Sequence, residues 1–304
     1  MEFDLENPLT TTSETIQDLF ASESDHMPSR TFFKSSLKNS LFYSSFRQEA
    51  ISLVLQAQYS CNFGALVGYL AVNYMDRFIS RQDIPREKPW ILQLLVISCL
   101  SLAAKMKNAH FLLSDFQGEE NFIFDAQSIH RMELLILDGL NWRMRSITPF
   151  SFLPFFISLF EHKDPPLTQA LKDRAAEIIF KAHNEIKLLE FKPSIIAASA
   201  LLVSCHELFP LQFHSFNSSI SSCECVNNDN LAKSLKAMQE MVEMEWYESM
   251  LDTVSSTRTP LSVLDRHCTI SETETTSSNT MAPAAAEKKE TKKRKTVTYY
   301  RRKS

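Results

Sequence analysis

Leu70-Ala71-Val72-Asn73-Tyr74-Met75-Asp76-Arg77-Phe78 is an apolar helical run that closes on an aspartate and an arginine. Charges in such a setting are rarely tolerated without a partner. Arg47 lies about thirty residues upstream, and Leu94, Lys105 and Glu133 follow downstream. All four charged residues fall within, or at the end of, strongly apolar helical stretches.

Apolar residues spaced by three and four extend this pattern on both sides. They predict helices over 46–57 and 63–80, the second stepping through Ala65, Tyr69, Val72, Met75 and Phe78. A third runs from Pro89 to about Lys105 and is apolar nearly all round, which marks the centre of a bundle. A short helix is expected over 111–116. Asp125 is a good N-cap for a helix over 126–140. Thr148-Pro149 supplies a cap and a first-turn proline for another, which Pro154 should bend or shorten. The second half resembles a weak copy of the first. Lys88-Pro89-x-Ile91 opens one apolar helix, and Lys192-Pro193-x-Ile195 opens another over 195–205. A last helix is expected over 231–250.

Composition excludes several functions. The 304 residues include 22 Phe but only four Gly, at 64, 68, 118 and 139. A dinucleotide fingerprint, a Walker A loop and a kinase Gly-rich loop each need closely spaced glycines. None can be drawn from these four. The apolar run from Ile91 to Ala104 is too short to span a bilayer. The start of the chain is acidic and polar, without the basic and apolar pattern of a signal peptide, so an intracellular protein is expected. Cys61, Cys99 and Cys205 sit in apolar helical contexts as small hydrophobes. Cys223-Glu224-Cys225 lacks further ligands at metal spacing and is read as a surface loop. No metal, cofactor or catalytic residue is expected.

The order and spacing of Arg47, Asp76-Arg77-Phe78, Leu94, Lys105 and Glu133 resemble the cyclin box, the five-helix module with which cyclins bind and activate protein kinases. The resemblance covers roughly residues 40–250. It implies that Arg47 and Asp76 form a structural ion pair and that Leu94 belongs to the core. It implies that Lys105 and Glu133, both expected to be partly exposed, grip the backbone of a kinase helix. Leu137, Trp142 and Met144 match apolar positions that pack on that helix. Asn141-Trp142-Arg143-Met144, Leu100-Ser101-Leu102-Ala103-Ala104-Lys105 and Phe191-Lys192-Pro193-Ser194 are similar to plant D-type cyclins.

Three departures stand out. Residues 1–40 contain no Cys, so the Leu-x-Cys-x-Glu motif that docks retinoblastoma-related proteins is missing. With the short chain, this resembles the divergent sixth subgroup of the D-type family. Lys107-Asn108 stands where many cyclins carry an acid, a change that bears on kinase choice. Leu53 replaces the Trp of the substrate-docking patch, leaving Phe46, Ala50 and Leu53 as a shallower groove.

The expected organisation is all-α: a disordered acidic arm over 1–38, tandem five-helix bundles over 39–146 and 147–252, and a disordered tail over 253–304. Residues 1–30 hold seven acids against Arg30, while residues 256–304 hold eleven Lys/Arg against five acids. The tail is rich in Ser, Thr and Glu over 268–287, a composition that suits rapid turnover or a plain linker. It then carries Lys292, Lys293, Arg294 and Lys295, a run that fits the acidic groove of an import receptor. The expected function is that of a non-enzymatic regulatory subunit of a cyclin-dependent kinase acting at the G1/S step of the cell cycle in the nucleus, with kinase-inhibitor proteins as further partners. A cyclin-fold scaffold that does not activate a kinase is one alternative. A cyclin-fold transcription factor is the other, but residues 31–255 hold 20 Lys/Arg against 24 Asp/Glu, which gives no basic face for DNA.

Overall fold

The computed structural model describes residues 13–29, 41–82, 88, 90–109, 124–160 and 164–256. The chain divides into two compact units, Met1–Asp252 and Thr253–Ser304, and beyond Ser256 the second lies outside the described residues. So do the helix expected over 111–116 and the basic run of the tail.

The first unit begins with α1 (Ser13–Ser22) and a 3₁₀ turn (Glu23–His26). Then come α2 (Leu41–Ser60), α3 (Ala65–Ile79), α4 (Trp90–Met106) and α5 (Ala126–Gly139). A 3₁₀ turn (Pro149–Phe152) leads into α6 (Leu153–Ser158), α7 (Pro165–Ala182), α8 (Pro193–Leu208), α9 (Phe213–Ser221) and α10 (Asn228–Ser256). Among the described residues there are no strands.

Two apolar helices organise the packing. In α4 every residue from Leu94 to Ala104 is buried, and it packs on α2, α3 and α5. In α8 every residue from Pro193 to Cys205 is buried, and it packs on α6, α7 and α9. Six of those thirteen are Ala or Ser, which let neighbouring backbones approach closely. The local punctuation follows the chemistry of the caps. Asp125 accepts from Ser128 N–H at 2.9 Å, closing the start of α5. Pro154 sits in the first turn of α6, where its missing N–H costs no bond, so α6 is a separate short helix after the 3₁₀ turn.

With glycine scarce, asparagine takes the left-handed position after three helices: Asn62, Asn108 and Asn141 have φ of 52°, 50° and 52°. Asn108 therefore has a backbone reason to be an asparagine. It turns the chain so that Ala109 N–H reaches the Ala104 carbonyl at 2.9 Å, satisfying the end of α4.

The acidic arm expected over 1–38 is corrected for residues 13–29, which fold as a strap against the rest of the unit. Phe20 is buried, its ring 4.9 Å from Phe152 and 5.7 Å from Phe155. Glu23 is wholly buried. Its carboxylate accepts from Ser194 N–H at 2.9 Å and Ser194 Oγ at 3.0 Å, and pairs with Lys192 Nζ at 3.1 Å. A carboxylate thus caps the start of α8 from 171 positions away. Farther along, Ser29 N–H donates to Ser80 Oγ at 2.9 Å. Glu23→Ala leaves the Ser194 N–H without its acceptor at a buried helix start. The expected loss is ~1–3 kcal/mol, seen as a thermal melt lowered by several degrees. A melt matching wild type would mean that the strap adds nothing to the fold.

Candidate functional site

Arg47 on α2 and Asp76 on α3 meet as a buried pair, their side chains 1% and 4% exposed. Arg47 Nε and Nη2 each reach an Asp76 oxygen at 3.0 Å, the bidentate geometry a guanidinium favours. The remaining donors go to backbone. Nη1 donates to the Asn184 carbonyl at 3.0 Å, and Nη2 to the His183 carbonyl. Those carbonyls close the C-terminal end of α7, where a cation offsets the helix dipole. The pair therefore joins α2, α3 and the end of α7, rather than two helices alone. His183 stacks on Tyr69 at 3.9 Å between centroids, and burial and Arg47 hold its ring neutral. Burial pushes the Asp76 carboxyl above its ordinary range, against the pull of Arg47.

Lys105 and Glu133 come together from the end of α4 and the middle of α5. Lys105 Nζ donates to both Glu133 oxygens, at 2.6 and 2.8 Å. The lysine is 62% exposed and the glutamate only 6%. The expectation that both are partly exposed is corrected for Glu133: it faces the α4–α5 seam, and Lys105 lies over it as a lid. Below the pair, Leu94, Ile97 and Ile129 form a small cluster that fixes α5 on α4.

The apolar residues around this pair divide. Leu137 is half-buried, one turn beyond Glu133 on the same face. Trp142 is 65% exposed. Its φ of 57° is a left-handed conformation that costs a bulky residue ~1–3 kcal/mol. Its N–H donates to the Leu137 carbonyl at 2.8 Å, which closes α5 and holds the ring outward. Met144 is buried in the main core, correcting its assignment to the partner-facing surface. Leu134 and Leu135 were not expected and are 43% and 59% exposed. The sequence signal was present. They fall off the buried register of Ile129, Glu133, Ile136 and Leu140, so two leucines face water beside the ion pair.

The groove expected from Phe46, Ala50 and Leu53 is not open. Ala50 is fully buried, Phe46 is 9% exposed, and only Leu53 reaches the surface in part. Phe46 and Ala50 point into the core that α2 shares with α3 and α4, so they form a floor and not a docking surface. Cys223 and Cys225 lie in the loop between α9 and α10, half-buried and exposed.

Comparison with known proteins completes the picture. The family model for "Cyclin, N-terminal domain" matches residues 14–145, and that for "Cyclin, C-terminal domain" matches residues 147–258. The chain is 46% identical over 290 residues to a provisionally named cyclin-D6-1 of Arabidopsis thaliana, across 90% of this chain and 93% of that one. It is 36% identical over 287 residues to cyclin-D6-1 of Oryza sativa subsp. japonica, across 91% and 86%. The X-ray structure of a viral cyclin from Herpesvirus saimiri is similar in fold, with a TM-score of 0.57 at 17% identity over 75% of this chain and 96% of that one.

Proposed function

Because this chain belongs to the cyclin family, among its plant D-type members, and is as such a regulatory subunit rather than an enzyme, we propose that it binds and activates a cyclin-dependent protein kinase and so promotes passage from G1 into S phase. The observation that carries this reading is the exposed Lys105 over the buried Glu133, bordered by Leu134, Leu137 and Trp142. A lysine offers donors to backbone carbonyls, a carboxylate accepts from backbone N–H groups, and the leucines and tryptophan supply apolar anchors. Together they suit the end of a kinase C-helix.

Holding that helix inward lets the kinase form its own Lys–Glu ion pair. The effect is a population shift, limited by the difference in affinity for the two kinase states. The test is a kinase assay on the complex purified with its partner. Phosphoryl transfer well above that of the free kinase supports activation. Stable binding without any gain in activity would leave a scaffold in its place.

Two further elements of the reading rest on sequence. Residues 1–40 hold no Cys, so retinoblastoma-type pockets are not engaged through the usual motif. The run Lys292, Lys293, Arg294 and Lys295 is proposed as a nuclear import signal. Replacing these four with Ala in a fluorescent fusion too large to diffuse through nuclear pores should bring the nuclear-to-cytoplasmic ratio down to near unity. An unchanged ratio would exclude the run as the principal signal.

A further inference from the structure

Three guanidinium groups gather on one side of the first unit, and among the described residues one carboxylate, that of Asp25, pairs with them. Arg77 lies in the last turn of α3, Arg81 just beyond it, and Arg143 after α5. Asp25 of the strap pairs with Arg143 through Oδ2, and its backbone carbonyl accepts from Arg81 Nη2 at 3.3 Å. Arg77 is wholly buried behind them. Its Nη2 donates to the Arg143 carbonyl and its Nη1 to Ser146 Oγ, both at 3.0 Å. Arg77 Nε is buried without a hydrogen-bond partner, and so is His26 Nδ1 beside it on the strap.

The crowding shows in the titration of both groups. Burial, then the charges of Arg81 and Arg143, bring Arg77 down to about 10. Burial, then Arg77 and Arg143, bring His26 down to about 4. His26 is therefore neutral at neutral pH and adds no charge. Among the described contacts of the cluster, three arginines face one aspartate. Asp25 is 55% exposed and Arg143 51%, and Arg81 is exposed, so two of the three guanidinium groups are open to solvent, with Arg77 buried behind them.

We infer that Arg81 and Arg143, backed by Arg77, form a receiving site for a phosphate monoester carried on a serine or threonine. A planar guanidinium binds phosphate oxygens in bidentate pairs. A phosphate brings about −1.5 to −2 charges where Asp25 brings a single one. Asp25 then acts as a weak placeholder. Two sources supply the same chemistry. One is Ser24, exposed on the strap next to Asp25. There a protein kinase transfers the γ-phosphoryl of ATP to Ser24 Oγ: the Oγ–P bond forms, the bond to ADP breaks, and the hydroxyl proton passes to the kinase's base. The other is a phosphorylated segment of a partner protein. This inference uses none of Lys105, Glu133, Leu134, Leu137 or Trp142, so it can fail separately from the proposed kinase-binding face.

The test uses the full chain and a fluorescein-labelled Ala/Gly peptide with one phosphoserine, beside its unphosphorylated twin, read by anisotropy. The phosphopeptide should bind roughly tenfold tighter than its twin, and the preference should shrink as salt rises. Asp25→Asn should strengthen binding, because a competing carboxylate is gone. Arg81→Gln with Arg143→Gln should abolish the preference with the melt unchanged. Should that pair disturb the fold, Arg81→Lys with Arg143→Lys keeps the charge and loses the bidentate geometry, and should bind at an intermediate level. A chain made with phosphoserine at 24 assigns the source. Loss of peptide binding with a raised melt points to the strap; retained binding points to a partner. Twins that bind alike, with no rise in the melt of the chain phosphorylated at Ser24, would overturn the site.

Discussion

Arg47→Ala and Asp76→Ala should each melt far below wild type. The pair is buried at 1% and 4% exposure and makes three short charge-assisted contacts. Breaking such a pair by removing one partner typically costs ~3–5 kcal/mol. In a chain of this size that lowers the melt by about 6–20 °C. The two variants should differ in kind. Losing Arg47 also strands the His183 and Asn184 carbonyls at the end of α7. Losing Asp76 leaves a guanidinium that keeps those two bonds but cannot shed its charge.

The pH dependence separates them further. Burial already pushes Asp76 above its ordinary range with Arg47 in place. Without Arg47, nothing offsets burial and the folded pKa rises more. A carboxyl whose folded pKa exceeds its unfolded value makes the folded state bind more protons, so stability falls as pH rises through that window. Arg47→Ala should therefore be more stable at about pH 5 than at about pH 7. Asp76→Ala should lack this acid rescue. Melts within error of wild type for both variants would mean that the pair does not form in solution.

The parts of this fold that were legible in the sequence are those with a local signature. The all-apolar α4, the Asp125 cap and the proline-led start of α8 announce themselves within a few residues, whereas the helix expected from Pro149 is a 3₁₀ turn up to Phe152 and turns α-helical only from Leu153. The Arg47–Asp76 pair was legible through the resemblance, on charges that an apolar helix tolerates only with a partner, whereas Lys105 and Glu133 were expected as a grip on a partner's backbone and not as a pair with each other. The strap was not, because what folds it is distant. Phe20 finds a hydrophobic site only against Phe152, Phe155 and Phe156. Glu23 finds its donors at the start of α8. Neither contact leaves a periodic trace in residues 13–29.

The α7 helix went unseen for a related reason. Its buried stripe, Leu171, Ala175, Ile178, Ile179 and Ala182, is narrow and partly alanine, set among charged residues. Backbone partners are invisible to a reading of side-chain types, so the third member of the Arg47 cluster, the end of α7, could not be named. Phe46, Ala50 and Met144 were misread because a resemblance fixes position along a helix but not which apolar residues the core takes for itself.

Lys105→Ala should leave the melt of the free chain nearly unchanged and lower kinase affinity by ~2–5 kcal/mol, roughly thirty- to several-thousand-fold. The lysine is 62% exposed, and an exposed ammonium contributes ~0–1 kcal/mol to stability. Removing it opens Glu133 to water and does not strand a charge in the core. Lys105→Glu is a poorer probe, because it sets a second carboxylate against a nearly buried one and mixes repulsion with lost contact. Glu133→Gln tests the other half. It keeps the shape and one acceptor oxygen, but loses the charge that holds Lys105 at 2.6 Å.

In the free chain Lys105 and Glu133 satisfy each other, and the proposed complex would exchange that pair for bonds to a kinase backbone. The net gain depends on charged groups meeting neutral amides in a desolvated contact, where such bonds are strong. It also depends on Leu134, Leu137 and Trp142 excluding water around them. Trp142→Ala should therefore weaken kinase binding alongside Lys105→Ala, and the two losses should not add, because both act on one desolvated patch. The decisive pair of measurements is a melt and a kinase titration on the same protein. A normal melt with lost affinity assigns the face to the kinase. Normal melts with full activation in Lys105→Ala and Glu133→Gln would remove this face from the interface altogether.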